Sequence, residues 1–220
     1  MNVRITKEQK IKVDDPADVY KIMQQVLLRE NKIRRNQEHF WIIGLNNAHK
    51  ILFVELLCLG ANNRVNIDPP EVFRMAIYKL ASKAMFVHNH PSGEIRPSEK
   101  DIGFTDHMLK AGKFLRIELL DHLIITEEKY LSMQKEGIMD DLRTNGNYEM
   151  VKGEKDELLH FKTRMEEQRI KKGEKLEMAK KMLKKKEPMK KIVEYTGLTE
   201  FQVEGLKRKV ERMKGKKGGK

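Results

Sequence analysis

Ala84-Met85-Phe86-Val87-His88-Asn89-His90-Pro91-Ser92-Gly93, followed by Ser98 and Asp101, decides how the rest of the chain is read. Four apolar residues run straight into His88 and predict a short buried strand. Because strand side chains alternate, His88 and His90 share one face and Asn89 takes the other, where its amide is placed to tie a loop down. Pro91-Ser92-Gly93 turns the chain, and after Pro97 a helix is predicted over Ser98 to Lys110. The pattern is His-x-His-x7-Ser-x2-Asp. Two imidazoles and a returning carboxylate supply three protein ligands and leave a fourth position open. That is the arrangement of a catalytic zinc, because water at the open position loses several pKa units. His88, His90 and Asp101 are therefore the expected ligands and Zn2+ the expected cofactor. Ser98-Glu99-Lys100-Asp101 is also a Ser-x-x-acid capping box. As a cap alone, each of Ser98 and Asp101 is replaceable at about 1 kcal/mol.

Outward from this segment the chain alternates strand-like and helical stretches. Val3 to Val13 alternates polar and apolar and predicts a strand. Asp14-Asp15-Pro16 then starts a helix with Val19, Ile22, Met23, Val26 and Leu27 on its core face. His39 to Leu45 and Ile51 to Leu59 predict a hairpin closed by the turn residues Asn46 to His49. Asp68-Pro69-Pro70 opens a helix carrying Val72, Phe73, Ala76, Ile77 and Leu80. Ile117 to Thr126 predicts a strand and Tyr130 to Glu136 a short closing element. The order is that of an α/β domain.

With 35% charged and 6% aromatic residues over 220 positions, one domain with a tail is expected. The single cysteine, Cys58, lies in Leu56-Leu57-Cys58-Leu59 and reads as a small core residue. It excludes an internal disulfide framework and suits a reducing compartment. No apolar run approaches the roughly 20 residues of a membrane span and no charged-then-apolar leader opens the chain, so a cytoplasmic protein is expected.

The formal charge of +12 is unevenly placed. Residues 151–220 hold 23 lysines and arginines against 12 acids, which leaves residues 1–150 at +1. A basic appendage on a neutral body suits a nucleic-acid partner, since neutralising phosphates releases counterions; the alternative is a solvated lysine-rich helix. Falling apolar content from Asp140, with Asn145-Gly146-Asn147 and Lys152-Gly153-Glu154, predicts a linker over 141–155 and a tail over 156–220. Asp156 to Lys172 reads as a highly charged helix with too few apolar residues to stand alone. Farther on, Leu176, Ala179, Met182 and Leu183 keep helical spacing, Pro188 starts another helix and Gly197 ends it. Thr199 with Gln202 forms a capping box ahead of Phe201, Val203, Leu206, Val210 and Met213. The result is helix, turn, helix. Lys190 to Thr199 resembles the helix-turn-helix-like end of several bacterial proteins, transposon-associated nucleases among them. Lys190, Lys191, Lys207, Arg208 and Lys209 are the residues expected to meet DNA.

His88 to Gly93, Pro97 to Asp101, Ala111-Gly112 and Leu119-Leu120-Asp121-His122-Leu123-Ile124-Ile125 together resemble the RadC-type branch of the JAB/MPN metalloprotease fold, with its JAMM motif, over about residues 38–140. The resemblance implies a curved mixed sheet flanked by helices, cytidine-deaminase-like, with residues 1–37 packing on it as a strand and helix. It implies zinc on His88, His90 and Asp101, and a glutamate on an earlier strand that shuttles the proton of the attacking water. Glu55 is the match. It is the only acid between Glu38 and Asp68 and interrupts an apolar strand, where a charge needs a reason. By the same carry-over Ser98 donates to the oxyanion of the tetrahedral intermediate. Asp121 and His122 belong to the family pattern as supports behind the ligands or as structural groups. His39, His49, His107 and His160 read as surface histidines. The chain departs from the family between Gly60 and Glu71, where the usual Pro-Arg-Glu has Pro70 in place of arginine. The N-terminal helix-hairpin-helix of many RadC-type proteins is not in the sequence, and the basic tail is expected to take its place on DNA.

Three functions follow as expectations. The first is a zinc hydrolase resembling a metalloprotease or isopeptidase, with an unassigned protein or peptide substrate. The second is a DNA-associated protein, with a role in repair, recombination or a mobile element, acting on nucleic acid or on a protein bound to it. The third is a non-catalytic interaction module, which would be expected to lack ligands that are all present here.

Overall fold

Strands β1 (His39–Leu45), β2 (Ile51–Leu59), β3 (Lys83–Asn89), β4 (Glu118–Ile125) and β5 (Tyr130–Ser132) form one sheet in the order β2-β1-β3-β4-β5. The structure is a computed structural model and describes residues 3–6, 9–60 and 67–215. The pair β3–β4 is parallel and every other pair antiparallel, which makes the sheet mixed. A parallel neighbour needs a long crossover, and helix α4 (Glu99–Leu115) provides it. Helices α1 (Pro16–Leu28), α2 (Lys32–Arg35) and α3 (Pro69–Lys79) precede it in the chain.

The pairing register sorts the side chains onto two faces. On one, Trp41, Ile43, Leu45, Val54, Val87, Leu123 and Ile125 pack against Val19, Ile22, Met23, Val26 and Leu27 of α1. On the other lie two neighbouring cross-strand rows, Glu55–Ile42–Phe86–His122 and Cys58–Phe40–His88–Ile124. Phe73 of α3 and Phe104 of α4 cover this second face. Phe86 meets Phe40, Phe73 and Phe104 at centroid distances of 5.3, 6.3 and 5.9 Å. Gly44 belongs to this face for a steric reason: a Cβ there would lie 1.9 Å from Cε1 of Phe53 on the neighbouring strand.

Two expectations change. The strand predicted over Val3 to Val13 does not form among the described residues. Thr6 and Gln9 bind each other's amides through their side chains and turn the chain, leaving one isolated bridge, Lys12 to Lys50. The linker predicted over 141–155 shrinks at both ends. Helix α5 (Ile138–Asn145) buries Met139 and Leu142, two apolar side chains among many charges, and α6 (Lys152–Lys184) already includes Lys152.

The chain divides into two compact units, Met1–Thr163 and Arg164–Lys220, with the division inside α6 rather than near residue 150. The stretch Asp156 to Lys172 is part of this 33-residue helix. In the second unit, helices α7 (Met189–Thr196) and α8 (Glu200–Gly215) and the end of α6 share a small core of Ala179, Ile192, Leu198, Val203 and Leu206. Gly197 turns between α7 and α8 at φ 62°, a conformation glycine adopts at least cost. Thr199 and Gln202 form the expected capping box. Among the described residues no helix is long and apolar enough to cross a membrane.

Candidate metal centre

The end of β3 and the start of α4 meet at one corner. His88 stands one residue before the end of β3, His90 follows the strand, and Asp101 stands in the first turn of α4, whose N-cap is Ser98. Nε2 of His88 lies 2.8 Å from Nε2 of His90 and 3.3 Å from Oδ1 of Asp101; Nε2 of His90 lies 3.7 Å from Oδ2. One ligand atom from each residue falls within 4.8 Å of the others, and among the described residues this is the one such group of three.

Backing groups aim these atoms. The Nδ1–H of His90 donates to the carbonyl of Glu94 at 2.8 Å, which turns Nε2 inward. His88 is fully buried, and its Nδ1 meets Nε2 of His122 at 2.8 Å. Ser98 and Asp101 form the expected capping box, and the same carboxylate faces the two histidines. Ser98 Oγ accepts from the Asp101 amide at 3.2 Å, and Asp101 Oδ2 accepts from the Ser98 amide at 2.8 Å and from its hydroxyl at 2.6 Å. Burial alone would raise the Asp101 carboxyl. The hydrogen bonds from His90 and Ser98 outweigh it and hold the group well below the usual carboxylate range. The same Asp101 contact, against the opposing effect of burial and with help from the Glu94 carbonyl, raises His90.

Glu55 is 3% exposed and takes a 2.9 Å ion pair from Nη2 of Arg74 on α3. Its partner on β1 is Ile42, whose row lies beside that of Phe40, the partner of His88. Glu55 therefore lies on the ligand face with β1 between it and β3, two strand spacings or roughly 10 Å across the sheet. Residues 61–66 of the stretch that departs from the family lie outside the described residues. Arg74, one helical turn after Pro70, places a guanidinium in this region all the same.

The amide of Asn89 ties down the segment that precedes β1. Its Oδ1 accepts from the His39 amide at 2.7 Å, and its Nδ2 donates to the carbonyls of Arg35 and Gln37. Asp121 points away from the ligands. It accepts from Ser132 Oγ and from the amides of His122 and Gln134, and burial raises its carboxyl. His39, read as a surface residue, is 2% exposed because it stacks on Trp41 at a centroid distance of 5.0 Å. Sequence reasoning missed Thr105. It is fully buried, with Oγ1 2.7 Å from Nδ1 of His122. Its position four residues after Asp101 puts both on one helix face, a spacing that could have revealed it. A cavity of about 330 Å³ opens beside His90, Pro91 and Gly93, with the Arg35–Glu127 ion pair on its wall. In the second unit Lys190, Lys191, Lys207, Arg208 and Lys209 are all exposed, two of them paired: Lys191 with Glu187 and Arg208 with Glu204.

The family model described as RadC-like JAB domain matches residues 13–138. UPF0758 protein Mbar_A2303 of Methanosarcina barkeri is 37% identical over 133 residues, which cover 60% of this chain and 56% of the relative. UPF0758 protein TTE0897 of Caldanaerobacter subterraneus subsp. tengcongensis is 36% identical over 135 residues, 61% of this chain and 56% of the relative. UPF0758 protein SH1266 of Staphylococcus haemolyticus is 38% identical over 133 residues, with 60% and 56% covered. The matched part of the chain spans a little over half the length of these relatives.

Proposed function

Because the chain belongs to the RadC-like JAB domain family and gathers His88, His90 and Asp101 at one corner, we propose that it is a zinc-dependent hydrolase, resembling JAMM metalloproteases, that cleaves an amide or isopeptide bond. The observation that carries the reading is the convergence of two imidazole nitrogens and a carboxylate oxygen. Ligands about 2.0–2.2 Å from a tetrahedral zinc stand about 3.3–3.5 Å from one another. The contacts of 2.8, 3.3 and 3.7 Å, the last two to different oxygens of Asp101, bracket that spacing, and the nitrogen and oxygen donors suit zinc. When bound there, zinc supplies Lewis acidity that polarises a carbonyl and acidifies water. His88, His90 and Asp101 would hold it.

Glu55 works as the general base, taking the proton of the attacking water and passing it to the leaving amine. Arg74 orients that carboxylate through Oε1. Ser98 can serve the oxyanion only by turning its hydroxyl hydrogen away from Asp101 Oδ2. The cavity beside His90 gives a substrate segment room to approach.

Elemental analysis of the purified chain is expected to find about one zinc per chain, lost in His88→Ala and Asp101→Ala. Quenched peptides and isopeptide-linked ubiquitin-like conjugates are the substrates to screen. Glu55→Gln is expected to keep its zinc and lose cleavage. A chain that takes up no zinc, or undiminished cleavage by Glu55→Gln, overturns the reading.

A second reading rests on the tail, where α7, a glycine turn and α8 carry exposed cations. In it the protein is associated with DNA in repair, recombination or a mobile element, and acts on nucleic acid or on a protein bound there. Deleting residues 156–220 is then expected to remove a DNA affinity that falls steeply with salt. Binding that is absent or indifferent to salt sinks it.

A further inference from the structure

Thr105 has one hydroxyl hydrogen and three close partners. Oγ1 lies 2.6 Å from the carbonyl oxygen of Asp101, 3.8 Å from Sδ of Met133 and 2.7 Å from Nδ1 of His122. A carbonyl oxygen can only accept, so the hydrogen goes to Asp101. Nδ1 of His122 must then be the donor to Oγ1. On a neutral imidazole this leaves Nε2 of His122 as the acceptor, and the hydrogen of the 2.8 Å contact belongs to Nδ1 of His88. His88 in turn presents the lone pair of Nε2 toward His90 and Asp101, and the hydrogen of the His88–His90 contact lies on His90. All three side chains of the chain of bonds, Thr105, His122 and His88, are fully buried. Phe40 and Phe86 meet the His122 ring edge-on at 5.5 and 5.7 Å, which keeps the ring from turning.

We infer that Thr105 and His122 form a positioning relay that locks His88 in the tautomer with Nδ1 protonated and Nε2 ligating. The inference rests on the metal reading of His88, His90 and Asp101 for its purpose, although the tautomers themselves are fixed without metal. A histidine ligand backed by a carbonyl or carboxylate has its tautomer set in one step. Here a second histidine stands in the backing position, and an imidazole can face His88 as donor or as acceptor. Thr105 removes that ambiguity, and it can do so because its hydrogen is committed to the backbone of the same helix that carries Asp101. The relay therefore ties two of the three ligands together, one through its imidazole and one through its carbonyl.

The test uses the full chain labelled with nitrogen-15. Long-range nitrogen–proton correlations on the zinc-free wild type are expected to show Nδ1 protonated and Nε2 bare on both His88 and His122. Zinc alone, titrated against a competing chelator, is expected to bind Thr105→Val about tenfold more weakly than wild type. Thr105→Ser, which keeps the hydroxyl, should stay within about twofold of wild type, and Thr105→Val should move His122 toward the Nε2-protonated form; a residue that served only packing would do neither. A His88 protonated at Nε2 in the zinc-free wild type, or Thr105→Val binding zinc as tightly as wild type, overturns the relay. Wild type that shows the expected tautomers yet binds no zinc upholds the lock and overturns the metal reading instead.

Discussion

Helix α4 takes part in two histidine–carboxylate clusters built from nearly the same parts. At its start, Asp101 meets His88 and His90; two turns on, Nε2 of His107 meets Oε1 of Glu154 at 2.5 Å. In the second cluster Tyr148 stacks on the His107 ring at 3.9 Å, and its hydroxyl donates to the oxygens of the same Glu154 at 3.0–3.1 Å. The amide of Tyr148 donates to Asp106. Every donor there runs to an acceptor, so the cluster is closed and fastens residues 146–154 to α4. At the ligand corner Nδ1 of His88 and Nδ1 of His90 donate behind the rings, to His122 and to the Glu94 carbonyl, while the Nε2 atoms and the Asp101 oxygens face a common point. An acid beside a histidine is a fastening; two Nε2 atoms and a carboxylate oxygen that converge can hold a cation once His90 gives up its inward proton.

Exchanging a residue in each cluster gives the sharpest separation. His88→Ala is expected to abolish stoichiometric zinc and His107→Ala to leave it intact, read by elemental analysis of both proteins; zinc lost from both would erase the distinction. Phe86→Ala comes next, because its ring packs against Phe40, Phe73, Phe104 and His122 under the corner. It should cost about 3–5 kcal/mol in urea unfolding, as a large aromatic does when removed from a packed interior. His107→Ala is expected to lose about 1 kcal/mol by the same measurement, the scale of one hydrogen bond. The smallest effect is one of pH. Burial first and Glu154 second push the Tyr148 hydroxyl up to about 12 from its ordinary 10. The folded chain therefore holds a proton that the unfolded chain releases between those values, and stability is expected to fall as pH rises from 10 to 12. Tyr148→Phe should flatten part of that fall, in unfolding curves taken at pH 9 and pH 11.5.

What could be read from the sequence was whatever repeats at short range. The strand ending in His88, the helix opening at Ser98 and the capping box of the tail all declare themselves within a few residues, and so does the placement of three ligands. Contacts across long separations left no such trace: Glu55 and His122 stand out in the sequence, but their partners Arg74 and Thr105 do not, and neither does the pairing of Tyr148 with His107. Local patterns also misled. The alternation of Val3 to Val13 resembles a strand, yet the Thr6–Gln9 side chains turn it; the charges after Asp140 resemble a linker, yet Met139 and Leu142 suffice to dock a helix. His39 looked exposed only because its partner Trp41 lies two residues on, where a strand brings side chains to the same face.

Asp101 is at once the third-residue partner in the capping box of α4 and, in the proposed reading, a metal ligand, its Oδ2 engaged by Ser98 and its Oδ1 turned to His88. Occupancy of the corner and order in the first turn of a 17-residue helix are thus one equilibrium seen from two sides. A ligand present at a hundred times its dissociation constant, and binding only the folded chain, adds about 2.7 kcal/mol to stability. With zinc as the proposed occupant, the melting temperature of the first unit would double as a gauge of the zinc around it, and the fraction of chain exposed to unfolding and proteolysis in a cell would rise as the metal is withdrawn.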